Sequence, residues 1–172
     1  MNLFYKSFLL LALSFYSCTQ PAKFQLIQIA DKYSIELPEY MQPWTGMHTE
    51  ASLHYKNEER DIYTIIIDEN KKELQHHQLN YTLDSYFKSV CSSPPIKNID
   101  QLRLHKPVQI NLNGDSALLA GISGNFNHTN IYYQLAVIET KKRFYQILSW
   151  TSLDNKELFL RDFNTSLNSF RE

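Results

Sequence analysis

Glycine is scarce in this chain. Four glycines among 172 residues leave little material for the phosphate-cradling loops that need a bare backbone close to an anion, and neither G-x-x-x-x-G-K-[ST] nor G-x-G-x-x-G occurs. Both of those routes to nucleotide binding are set aside. Cysteine is scarcer still: Cys18 and Cys91 are the only two, so the most they can make together is one bridge. An excess of either charge is also missing. With 17 basic and 18 acidic side chains the formal net charge is −1, and removing the first 17 residues, whose only charged side chain is Lys6, makes the remainder one unit more acidic. That balance carries no electrostatic footprint for nucleic acid. After Ser17 no apolar run is long enough to span a bilayer as a helix.

What the chain does have is aromatic side chains. Eleven tyrosines and ten phenylalanines favour a pleated, half-buried surface, so the composition leans towards sheet. A hydrophobic content of 43% with 20% charged residues is that of a folded globule. The length fits one domain, which at this size buries roughly 68–70% of its unfolded surface and needs neither metal nor disulfide to hold it.

The first residues read as an export signal. Lys6 is a minimal basic start, Phe8 to Leu13 an apolar centre, and Ser17 the small residue before a cut. Leu13-Ser14-Phe15-Tyr16-Ser17-Cys18 resembles the lipobox of bacterial lipoprotein precursors, with Phe15 and Tyr16 bulkier than the usual residues. The resemblance implies that residues 1–17 are a lipoprotein signal peptide and that Cys18 is the lipid-attachment site and the first mature residue. Residues 18–23 then form a tether. Thr19 rather than aspartate after the cysteine implies, by the sorting rule of Gram-negative lipoproteins, an outer-membrane anchor facing the periplasm.

Alternation and turn residues set out the remainder. Phe24 to Ile29 and Tyr33 to Leu37 read as two strands, Leu53 and Tyr55 begin a third, and Asp61 to Ile67 is a fourth whose near-continuous apolar run places it inside a sheet. Lys71 to Gln78 reads as a solvated linker. Leu83, Tyr86, Phe87 and Val90 recur at helical spacing behind Thr82 as N-cap, and Ser92-Ser93-Pro94-Pro95 stops that helix. Val108 to Leu112 and Ala117 to Ile122 flank Asn113-Gly114, a two-residue hairpin turn. Ile131 to Thr140 and Arg143 to Thr151 form another hairpin, and Asn125 to His128 reads as a wide loop. Asp154 and Glu157 resemble a capping pair for a last helix whose Leu160, Phe163, Leu167 and Phe170 share a face. Strands interrupted by one helix and closed by another predict an α+β fold, an antiparallel β-sheet flanked by helices.

The segments "YSIELPEYM", "DIYTIIIDE", "TLDSYFKSV", "INLNGDSALLAGISG", "YYQLAVIE" and "FYQILSWTS" together resemble the PsbP-like superfamily. That group includes photosystem II extrinsic subunits, a Ran-binding nuclear transport factor and DcrB-like bacterial lipoproteins. The resemblance covers residues 24–172 and implies a PsbP-like α/β/α sandwich that binds or stabilises a partner.

Chemistry-bearing clusters are sparse. His76-His77 beside Glu73 is the densest candidate for a metal, but adjacent histidines on a helix point about 100° apart, so no metal site is expected. "GISG" at 121–124 is not G-x-S-x-G and lies in a strand. Cys91 falls at a helix C-terminus, where nothing activates a thiol, and reads as a packed side chain. Glu58-Glu59 and Asp68-Glu69 read as solvated turn carboxylates. Among non-catalytic stretches, Met41, Trp44 and Met47 in a Pro- and Gly-containing loop are the ligand-binding candidates, as an adaptable apolar contact surface; in the alternative, Trp44 plugs the sheet end as core. The expectation is a membrane-anchored envelope lipoprotein with a binding or complex-stabilising domain, no catalytic residues and no cofactor, held to the membrane by its lipid and contacting an envelope protein. The alternative is an exported hydrolase-type enzyme, for which spacing assembles no convergent site.

Overall fold

The computed structural model describes residues 21–45 and 50–172. In chain order its strands are β1 (Phe24–Ile29), β2 (Tyr33–Pro38), β3 (Gln42–Pro43), β4 (Ala51–Asn57), β5 (Ile62–Asn70), β6 (Asp100–Leu104), β7 (Val108–Leu112), β8 (Asp115–Phe126), β9 (Thr129–Glu139) and β10 (Arg143–Ser152). Helices α1 (Lys71–His76) and α2 (Leu83–Cys91) follow β5, and α3 (Lys156–Ser169) follows β10. The main sheet is antiparallel with order β3-β4-β5-β10-β9-β8-β6, and β7 shares the outer edge of β8 with β6. Strands β1 and β2 form a separate hairpin. The architecture is the α+β arrangement that the sequence predicts.

Both faces of the sheet are covered, which explains the apolar runs. Every residue of β9 from Ile131 to Ile138 is buried, because alternate side chains enter two different cores. On one face Ile65, Leu135, Val137 and Leu148 meet Leu83, Tyr86, Phe87 and Val90 of α2. On the other, Ile66, Ala136, Ile138 and Ile147 meet Ile35 and Leu37 of β2 and Leu167 of α3. We refer to these as the helix face and the hairpin face. Helix α2 starts where the sequence places it: the Thr82 hydroxyl accepts from the Ser85 amide, and the Ser85 hydroxyl accepts from the Thr82 amide, a reciprocal cap.

Two glycines have a geometric reason. Gly114 sits at φ +106°, completing the Asn113-Gly114 turn between β7 and β8. At Gly124 a β-carbon would collide with the Ile99 side chain and lie 2.7 Å from the Asp100 carbonyl oxygen, so this bare position admits the crossing chain that leads into β6.

Several details differ from the sequence reading. Lys71–His76 is a short helix rather than a linker; the Asn70 side chain accepts from the Lys72 amide at 2.9 Å, and Leu74 is buried while His76 and His77 are exposed. Asp154 does not cap α3. Leu153–Asn155 is a 3-10 turn running straight into the helix, whose N-cap, Asn155, makes no side-chain cap bond. The buried face of α3 consequently carries Phe159, Phe163, Ser166 and Leu167, with Leu160 only half-buried. Asn125 to His128 is no wide loop: Asn127 and His128, both at positive φ, form a two-residue turn between β8 and β9.

Candidate functional site

The stretch around Trp44 is divided between the two faces. Met41 is 1% exposed and packs with Ile62, Phe159 and Phe163 under α3, so it belongs to the core and not to a contact surface. Three residues on, Trp44 is half-buried on the helix face, where its ring meets His54 edge-on at 5.9 Å and Tyr63 at 6.5 Å. The remaining member of the proposed loop surface, Met47, lies outside the described residues, as does Cys18.

Trp44 begins a row of rings. Antiparallel pairing places Lys56, Tyr63, Trp150 and Tyr133 side by side across β4, β5, β10 and β9, because cross-strand partners project to the same face. Tyr63 and Trp150 stack at 5.0 Å with planes 8° apart, and Tyr133 lies 5.6 Å beyond Trp150. The Lys56 ammonium stands 4.8 Å above the Trp44 ring, a cation–π contact. Tyr133 at the inner end is buried, which pushes its phenol up to about 12, while Trp44, Tyr63 and Trp150 each keep part of their surface in solvent. The Trp44 indole Nε1 is buried and meets no acceptor among the described residues. Large rings held by their neighbours lose little rotamer freedom when a partner covers them, which is why Trp and Tyr dominate binding hot spots.

Further along the same face lies a cleft of about 340 Å³ between β5, β10 and α2. Ile67 is among its lining residues, and its polar side chains include Glu69, Gln146, Tyr86 and Ser89. The Tyr86 hydroxyl donates to Glu69 Oε2 and accepts from Gln146 Nε2 at 2.8 Å. Burial and the Glu69 carboxylate raise the Tyr86 phenol, so it stays a neutral donor. These groups satisfy one another, and the triad ties α2 to the sheet.

The carboxylates of Asp68 and Glu69 are therefore not the solvated turn pair that the sequence implies. Both lie within β5 and point to opposite faces. Asp68, with 2% of its side chain exposed, accepts from Lys32 Nζ at 2.9 Å and Arg143 Nη1 at 2.7 Å. Burial alone would raise its carboxyl, but hydrogen bonds from Lys32 and Ser52 and the charges of Lys32 and Arg143 outweigh that and hold it below the usual carboxylate range. The Tyr145 hydroxyl, on the same face, shares its one proton between the Lys32 carbonyl and Glu172, each at 3.0 Å. This cluster clasps the β1–β2 hairpin to the sheet.

Cys91 is half-buried beside the α2 core, and burial pushes its thiol up to about 11, the reverse of activation. Among the described residues no three His, Cys, Asp or Glu side chains gather as metal ligands, and no helix is long and apolar enough to cross a membrane.

The chain is thus a β-sheet between a helical layer and a hairpin-plus-helix layer, with an aromatic row on its half-open side. No protein-family model and no curated sequence matches the chain. Solved structures do. The chain is similar to cyanobacterial PsbP (CyanoP) from Synechocystis sp. PCC 6803 with a TM-score of 0.64 at 14% identity, over 92% of this chain and 98% of that one. It is similar to LpqN, involved in cell envelope biogenesis of Mycobacterium tuberculosis, with a TM-score of 0.59 at 11% identity, covering 88% and 91% of the two chains. A third is PA94 from Pseudomonas aeruginosa, a putative regulator of unknown function, with a TM-score of 0.53 at 13% identity over 85% and 94%. The chain has the PsbP-like fold.

Proposed function

We propose that this chain is a lipoprotein of the bacterial cell envelope, anchored through an acylated Cys18 to the outer membrane on its periplasmic side, whose PsbP-like domain docks another envelope protein without chemistry of its own. The observation that carries the docking is the partly exposed row of Trp44, Tyr63 and Trp150, anchored at its buried end by Tyr133. The export-type leader ending at Ser17-Cys18 supports the anchor, and the role in the cell envelope stated for LpqN supports the compartment. Several acyl chains hold a protein to a bilayer far more firmly than one, which binds only reversibly.

One experiment tests both parts. Intact cells making the full chain are treated with a membrane-permeable crosslinker, and the N-terminal peptide of the captured protein is weighed. The expected outcome is a diacylglyceryl-modified Cys18 and a discrete crosslinked envelope protein that Trp44→Ala weakens by about 30-fold, the hot-spot scale of about 2 kcal/mol. An unmodified Cys18, or one bridged to Cys91, overturns the anchor. Capture indifferent to Trp44→Ala overturns the docking surface.

A further inference from the structure

On the hairpin face, at the opposite side of the sheet from the aromatic row, a groove of about 580 Å³ opens between the α3 N-terminal half and the turn after β4. Tyr40, Arg60, Leu158 and Arg161 line it, and so do Pro21 and Ala22, the first described residues of the chain. The place where the chain enters the domain is thus the rim of this groove.

That position has a metric consequence. Pro21 lies three positions after Cys18, and a fully extended chain spans at most about 3.3–3.6 Å per residue. An acylated Cys18 seated in a bilayer therefore keeps the groove within about 10 Å of the headgroups.

The side chains at the rim suit that location. Leu158 is 62% exposed although it is a large apolar residue. The Arg60 guanidinium lies 4.4 Å from the centroid of the Tyr40 ring, and neither Arg60 nor Arg161 takes part in an ion pair among the described residues. Two acids line the groove as well: Asp162 accepts from the Tyr40 hydroxyl at 2.7 Å, and Glu157 pairs with Lys156 at 3.3 Å. Two guanidinium forks with free donors beside an exposed leucine match a phosphate above an acyl boundary.

We propose that this groove is a phospholipid-headgroup site: Arg60 and Arg161 bind the phosphate of an anionic lipid and Leu158 enters the acyl boundary, which fixes how the domain stands on its membrane. The proposal rests on the acylated Cys18 reading. Its test uses the full acylated protein in vesicles of phosphatidylglycerol and phosphatidylethanolamine, with a benzophenone amino acid at Leu158 or, as the control, at Val108, which is 58% exposed on β7 at the far sheet edge. Lipid adducts should form several-fold more at 158 than at 108. Combining Arg60→Gln with Arg161→Gln should cut the adducts at 158 several-fold, as should replacing the anionic lipid by phosphatidylcholine. Equal adducts at both positions with Cys18 acylated overturn the proposal and leave the anchor standing. Adducts at 158 that ignore both the arginine substitutions and the lipid charge overturn the headgroup site. A Cys18 found unmodified by mass spectrometry overturns anchor and site together.

Discussion

The two faces of the central sheet are built from similar residues and closed in different ways. On the hairpin face, β1, β2 and α3 pack on aliphatic strand residues, and the buried Asp68 binds Lys32 of the hairpin and Arg143 of β10 at once. On the helix face, α2 is tied down by Tyr86, Glu69 and Gln146, and the far end of the same strands is left as a row of half-exposed rings. The hairpin face is locked by charges whose partners lie far apart in the chain. The helix face is locked only where α2 sits, which leaves aromatic surface in contact with solvent. Packing ties and half-exposed rings thus occupy different rows of one sheet.

Four measurements sharpen or break that contrast. The largest effect is expected in the hairpin-face core: Phe163→Ala, at a position 3% exposed, should cost about 3–5 kcal/mol in chemical denaturation. A loss below about 0.5 kcal/mol, the size of an ordinary surface substitution, would show that α3 does not seal this face. Asp68→Asn comes next, at about 1–3 kcal/mol, because both cationic partners lose a charged acceptor but keep access to water. Its pH dependence carries a sign. Since folding lowers the Asp68 carboxyl, its contribution is present above the ordinary carboxylate range and is lost as pH falls through the folded value. The gap between wild type and Asp68→Asn should therefore close in acid, and a gap independent of pH would refute the clasp. On the helix face, Thr82→Ala should cost about 1 kcal/mol by removing the α2 cap, detectable as a lower denaturation midpoint with an unchanged slope. The smallest effect concerns Cys91: its raised thiol should react with a thiol reagent at pH 8 far more slowly in the folded protein than in denaturant. Equal rates would mean that the C-terminal end of α2 is open.

Much of this architecture is legible in the sequence, and the reasons are local. The Asn113-Gly114 turn, the Thr82 start of α2 and the fourfold recurrence of apolar residues behind it are encoded within a few positions. What escapes is decided at a distance. Asp68 follows Ile65-Ile66-Ile67, and nothing nearby tells that β5 continues through it; its partners lie 36 and 75 residues away. Strand β6 is exposed at all five positions, so it carries no alternation to read. Helix α1 buries one side chain, Leu74, too few for a periodic signal. At the candidate site, Trp44 is visible as an unusual residue, but its neighbours Tyr63, Trp150 and Tyr133 become a row only once strand register is known. Met41 and Trp44 look alike in the sequence and face opposite sides of the sheet.

The β1–β2 hairpin makes no ladder with the main sheet. Its seal comes from the other end of the chain: Ser34 exchanges two backbone hydrogen bonds with Arg171 at 2.8 and 3.0 Å, and the Glu36 amide donates to the Ser169 hydroxyl at 2.7 Å, across 133 residues. An early hairpin of the fold is therefore completed by residues that follow it by more than 130 positions. A nascent chain still short of α3 leaves Ile35 and Leu37 without the cover of Leu167 and Phe170, so the hairpin face closes only once α3 has been made.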